Sequence, residues 1–156
     1  MTIDSTLQQV LLDRAFEAAQ LGYAEGGVPI GAVVARADGT VVSAASNRYV
    51  QTNDWTAHAE MCAVRDVGNT IDLRTAVLAT TMMPCWMCAG MIEHLGIPTV
   101  IIGDDESWPD GALEWLRTRR VEVIVRRDSR FTDLVTQWVG SGQDLWSPPA
   151  ATPVDQ

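Results

Sequence analysis

The sequence predicts an α/β fold in which helices cover both faces of a sheet, and three observations carry that reading. Apolar residues recur at helical spacing in several stretches, short β-branched runs separate those stretches, and an Asp38-Gly39 turn joins two such runs near the start. Beyond that hairpin, helices and strands alternate, an order that favours parallel pairing and α/β/α layering.

Taken in order, Leu7, Val10, Leu11, Ala15, Ala18 and Ala19 line one side of a helix that Asp4 or Ser5 caps and that ends near Gly22. The run IGAVVARADGTVVSAAS reads as a two-residue hairpin at Asp38-Gly39. Residues 48–55 are polar and irregular. A second helix covers 57–67 and stops at Gly68-Asn69, and a strand covers 76–81. Pro84 opens a third helix in its first turn, where proline is tolerated, and Gly96 ends it. Strands at 99–102 and 121–125 alternate with helices at 112–119 and 131–139. The segment 143–156, rich in proline and ending a stretch rich in glycine and serine, reads as a partly mobile tail. Residues 1–142 form one domain, with Trp146 anchoring the tail over a pocket.

The composition narrows the class. With 156 residues, 47% hydrophobic and 20% charged, the chain has enough apolar material for one core and too little polar tract for wholesale disorder. A formal charge of -9 repels a phosphate backbone, so nucleic acid is not an expected partner. The arginines at 117, 119 and 120 and at 126 and 127 read as a solvated rim. No signal-peptide pattern and no membrane-length apolar run occurs in the sequence, and the expectation is a soluble, cytoplasmic protein without a membrane partner. Three cysteines are too few and too uneven for a disulfide framework of the secreted kind.

Two motifs carry the chemistry. His58-Ala59-Glu60 and Pro84-Cys85-Trp86-Met87-Cys88 combine an imidazole with two thiols, a ligand set that suits Zn2+ and leaves one tetrahedral position for water. Both cysteines fall in the first turn of a helix, where the positive end of the dipole favours thiolates. A metal so held brings the pKa of a bound water towards about 7. Glu60 lies two residues after His58 and so points off that residue's helix face, a direction that suits a proton carrier better than a ligand. Each half alone is weak: His-x-Glu is a common accident on helices, and Cys-x-x-Cys also serves redox chemistry, structural zinc half-sites or plain packing. Together they match the H-x-E and P-C-x-x-C signature of zinc nucleobase deaminases. Cys62, one helical turn after His58, reads as a packed core residue, with a fourth ligand as the alternative. His94 reads as a surface residue near a helix end.

At these residues the chain resembles the cytidine deaminase-like superfamily, and within it the yeast-type cytosine deaminases. Leu21-Gly22-Tyr23, residues 25–31, Asn47, Gly96-Ile97-Pro98 and both metal motifs follow that family's order, so the likeness spans roughly 10–140. It implies a three-layer α/β/α sandwich with a five-stranded mixed sheet, a homodimer, and a nearly closed pocket for a free base. It further implies that Asn47 and the Ala59 N–H hold a ring carbonyl edge, that Ile30 forms the floor and that Trp108 is an aromatic wall; Trp146, in the tail, is a further expected substrate contact. Glu60 would take a proton from the attacking water, pass it to a ring nitrogen and then protonate the departing amine.

The chain also departs from that pattern. The family's C-terminal carboxylate is missing or displaced at residues 144–149, with Asp144 the nearest substitute. Met83 and Trp86 stand where the family has serine and aspartate. The implied substrate is therefore a cytosine-like amino-heterocycle, either cytosine or an aminotriazine such as 5-azacytosine or ammeline. The rivals are a tRNA adenosine deaminase, which shares both motifs, and a non-catalytic domain stabilised by zinc.

Overall fold

Helix α1 runs Ser5–Ala24, and Asp4 caps it by accepting the Leu7 N–H at 2.8 Å. The computed structural model describes residues 3–108 and 112–143. Strands β1 (Gly31–Arg36) and β2 (Val41–Ser46) form the expected hairpin, but its loop is one residue longer than the sequence suggests. The Arg36 N–H donates to Thr40, so Ala37, Asp38 and Gly39 make the turn, and Gly39 supplies the positive φ of 89° that a three-residue loop needs.

The polar stretch after β2 contains a short helix, α2 (Tyr49–Thr52), ended by Asn53 in the left-handed region. Helix α3 (Ala59–Val67) then leads to β3 (Ala76–Met82), α4 (Trp86–Leu95), β4 (Thr99–Asp104), α5 (Ala112–Thr118), β5 (Glu122–Val125) and α6 (Ser129–Gly140). Pro84 stands just before the α4 cap, Cys85, and outside the first turn. That position is still natural for proline, whose missing N–H is not needed there.

The five strands lie in the order β2-β1-β3-β4-β5; β1 is antiparallel to both neighbours, while β3, β4 and β5 are parallel. Alternation along the strands sends side chains to opposite faces. Val33, Ala35, Val77, Ala79 and Ile101 meet Leu11, Leu12 and Ala15 of α1 and Phe131 of α6 on one side. Ala32, Val34, Leu78, Val100 and Ile102 meet α3, α4 and α5 on the other. The result is the three-layer α/β/α arrangement with a mixed sheet. Each large side chain buried between the layers stabilises it by about 1.5–3 kcal/mol. Gly31 is required where α1 crosses β1, since a Cβ there would lie 2.0 Å from the Ala15 carbonyl oxygen.

Among the described residues no helix is long and apolar enough to cross a membrane. The arginines at 117 and 127 form surface ion pairs with Glu114 and Asp105. That agrees with a solvated rim.

Candidate active site

Two helix starts meet where the parallel strands end, the usual place for a ligand in an open α/β sheet. His58 caps α3 and Cys85 caps α4, both with extended backbone, and neither side chain caps its own helix. They turn towards each other instead. Cys85 Sγ lies 3.5 Å and Cys88 Sγ 3.6 Å from His58 Nδ1, and the three ligand atoms all lie within 4.8 Å of one another.

This geometry fits zinc. Arms of about 2.3 Å to sulfur and 2.0–2.1 Å to nitrogen give a tetrahedral edge of about 3.6 Å. Among the described residues no other group of this kind occurs, and neither Glu60 nor Cys62 belongs to it. Cys62 is half-buried, burial pushes its thiol up, and it lines a separate cleft between β2 and α3 with Arg48, Arg65 and Asp66. His94 is exposed in the last turn of α4.

Electrostatics separate the members of the cluster. Hydrogen bonding with Cys88, and then with His58, pulls the Cys85 thiol down to about 4, while the bond with Cys85 and burial push Cys88 up. His58 is raised, chiefly by its bond with Cys85. Burial pushes the Glu60 carboxyl up to about 7 against the opposing pull of its own backbone N–H and of His58. Only 4% of Glu60 is exposed.

A cavity of about 50 Å³ opens beside these groups, lined by Ile30, Asn47, His58, Glu60, Met82, Met83, Cys85 and Trp108. Local hydrogen bonds bring distant segments to it. Asn47 N–H donates to Ile30 at 2.8 Å and Arg48 N–H to Ala57 at 2.8 Å, which ties the end of β2 to the start of β1 and to the approach to His58. Asn47 Oδ1 accepts the Tyr49 N–H at 3.0 Å, so the amide NH2 is the end left to serve the pocket. Ala59, fully buried at the first turn of α3, stands between His58 and Glu60.

The sequence-predicted Ile30, Asn47, Glu60 and Trp108 therefore meet around one cavity. Trp146 and Asp144 lie outside the described residues. Trp86 does not line the cavity; it is 53% exposed and packs edge-on to Trp115, with ring centroids 6.1 Å apart. Met82, which lines the cavity, was missed by reasoning from sequence. Its signal was position: it closes a strand whose end reaches the site.

Residues 5–104 match the cytidine and deoxycytidylate deaminase zinc-binding region. The chain belongs to this deaminase family. A cytosine deaminase from Candida albicans is 30% identical over 141 residues, which cover 89% of this chain and 91% of that protein. A tRNA-specific adenosine deaminase from Haemophilus influenzae is 32% identical over 104 residues, 65% of this chain and 60% of that protein. The guanine deaminase structure from Nitrosomonas europaea shares the fold of this deaminase, with a TM-score of 0.69 at 20% identity over 90% of this chain and 86% of that one. The zinc-binding character of the family agrees with the donor set of His58, Cys85 and Cys88.

Proposed function

We propose that this deaminase releases ammonia from a free, single-ring, cytosine-like heterocycle, cytosine itself or an aminotriazine such as 5-azacytosine or ammeline. The observation that carries the reading is the cavity. It is small, about 50 Å³ on a scale where a single water needs about 10–15 Å³, which favours a small ring over a bulky ligand. Its lining is largely apolar, with Asn47 and Glu60 as the polar groups beside the ligand set, the mix that orients a small ligand.

In this reading His58, Cys85 and Cys88 hold zinc, which when bound supplies an activated water at neutral pH. Asn47 NH2 donates to a ring carbonyl oxygen, and the Ala59 N–H supports the same edge. Ile30 and Trp108 pack against the ring. Glu60 accepts a proton from the attacking water and delivers it to the adjacent ring nitrogen, then takes the second proton from the added hydroxyl and gives it to the leaving amine, so that water and the amidine become a carbonyl and ammonia. Residues 1–142 are the proposed catalytic domain. The chain would work as a homodimer, which the exposed Trp86 and Met87 beside Cys85 favour and sedimentation velocity would test.

The tRNA-specific relative motivates the competing substrate. Against it stand the net charge of -9 and the pairing of Arg117 and Arg127 with carboxylates. The deciding experiment measures ammonia release from cytosine, isocytosine, 5-azacytosine, ammeline, guanine, adenine, creatinine and cytidine, with filter binding of a tRNA anticodon stem-loop beside it. Turnover confined to single rings is expected. Preference for a purine or cytidine, or salt-sensitive tRNA binding, would overturn the proposal.

A further inference from the structure

We infer that Asp104 is a positioning residue that sets the grip of the pocket on its ring by holding the Trp108 wall in place. The inference rests on the substrate pocket proposed above. Asp104 closes β4 in register with Met82 and is 1% exposed. A carboxylate buried so deeply is costly unless its oxygens are hydrogen-bonded. Here Oδ1 accepts the Glu106 N–H at 2.8 Å and the Ser107 N–H at 3.1 Å, and the Ser107 hydroxyl donates to Oδ2. Among the described residues no cation forms a salt bridge with it.

These bonds have a geometric result. They fold the exit of β4 into a tight turn over 105–107, and the next residue, Trp108, lines the cavity. The backbone carbonyl of Asp104 accepts the Met83 N–H at 2.8 Å. Met83 lines the cavity too and leads through Pro84 to Cys85. One buried residue thus joins the aromatic wall to the strand end that delivers a metal ligand. The turn has a second, outer anchor in the Asp105 and Arg127 ion pair at 2.9 and 3.1 Å. Its arginine is 67% exposed but its carboxylate only 15%, and the pairing is bidentate, so it holds residue 105 from outside. The inner anchor holds residues 106 and 107, immediately before Trp108.

Removing the carboxylate leaves the Glu106 and Ser107 donors without their acceptor while the Met83 to Asp104 backbone bond remains. The wall shifts and the ligand set does not. An aromatic wall grips substrate and transition state alike, so its loss raises KM and spares kcat. Asparagine keeps an oxygen for both N–H groups, and its NH2 can donate to the Ser107 hydroxyl where the carboxylate accepted from it.

The test is steady-state ammonia release from cytosine, or from whichever ring in the panel has the highest kcat/KM, on zinc-loaded wild type, Asp104→Ala, Asp104→Asn, Trp108→Ala and the Asp104→Ala/Trp108→Ala double variant. Asp104→Ala should raise KM about tenfold with kcat within about twofold, the scale expected when buried donors lose an acceptor. Asp104→Asn should restore most of the loss, and the double variant should be no worse than Trp108→Ala. Unchanged KM in Asp104→Ala, or additive losses in the double variant, would overturn the inference. If Asp104→Ala does not fold, Ser107→Ala carries the test: KM raised about twofold supports it and unchanged KM overturns it. A wild type inactive on every ring would instead defeat the substrate reading.

Discussion

The helices on the two faces of the sheet begin differently. On one face α1 and α6 start with Asp4 and Asp128, whose carboxylates accept the Leu7 and Arg130 N–H groups at 2.8 and 3.1 Å. On the other, α3 and α4 start with His58 and Cys85 in the same extended conformation, and their side chains leave the helix ends uncapped to meet 3.5 Å apart. A cap stabilises a helix by about 0.5–2 kcal/mol. The site face gives up that stability where it gains a ligand set, the kind of local conflict expected at functional positions.

Cys85→Ser should sharpen this contrast most. Serine is a good cap and a poor zinc ligand, so the variant should lose zinc and all ammonia release, while its metal-free form gains up to about 1 kcal/mol over metal-free wild type. Metal analysis and thermal melts of the two metal-free proteins check both halves. A lower melting point in the variant would break the comparison. Next in size is Met82→Ala, which should widen the cavity that Met82 lines and raise the kcat/KM ratio of guanine to cytosine about tenfold. An unchanged ratio in a folded, zinc-loaded variant would remove Met82 from any part in specificity.

On the structural face, Asp4→Ala and Asp128→Ala should each lower stability by about 1 kcal/mol in denaturant melts and leave kcat, KM and zinc content untouched. A loss of activity there would mean the two faces are coupled. The Arg130 hydrogen bond holds the Asp128 carboxyl below its ordinary range. A depressed carboxylate contributes stability above its unfolded pKa of about 3.9, and that contribution disappears as pH falls through the lower folded value. Wild type should therefore lose its advantage over Asp128→Ala in acid melts below about pH 4. The smallest effect belongs to Cys62→Ser, which should keep both zinc and turnover because its thiol faces a different cleft. Loss of zinc would make Cys62 a ligand.

The layered fold was legible in the sequence because short runs of small and β-branched residues mark the strands and α1 repeats its apolar positions at helical spacing. His58, Glu60, Cys85 and Cys88 were legible because their chemistry is confined to two short motifs. Asn47 and Ile30 were reached only through the resemblance, since the Asn47 to Ile30 and Arg48 to Ala57 bonds that bring them to the site are backbone contacts that no side-chain pattern records. Asp104 stayed hidden for a related reason. An acidic residue after an apolar strand ordinarily marks the return to solvent, and here it is buried by a turn that it organises itself. The extra hairpin residue and α2 depend on single left-handed residues, Gly39 and Asn53, whose conformation sequence alone does not dictate.

The central claim is that three residues hold the metal and a fourth, Glu60, moves protons without binding it. Zinc content and ammonia release measured on one preparation of Glu60→Gln test it most directly. The account predicts about one zinc per chain, as in wild type, with turnover lowered by about a thousandfold or more. Loss of zinc, or ammonia release at the wild-type rate, would contradict it.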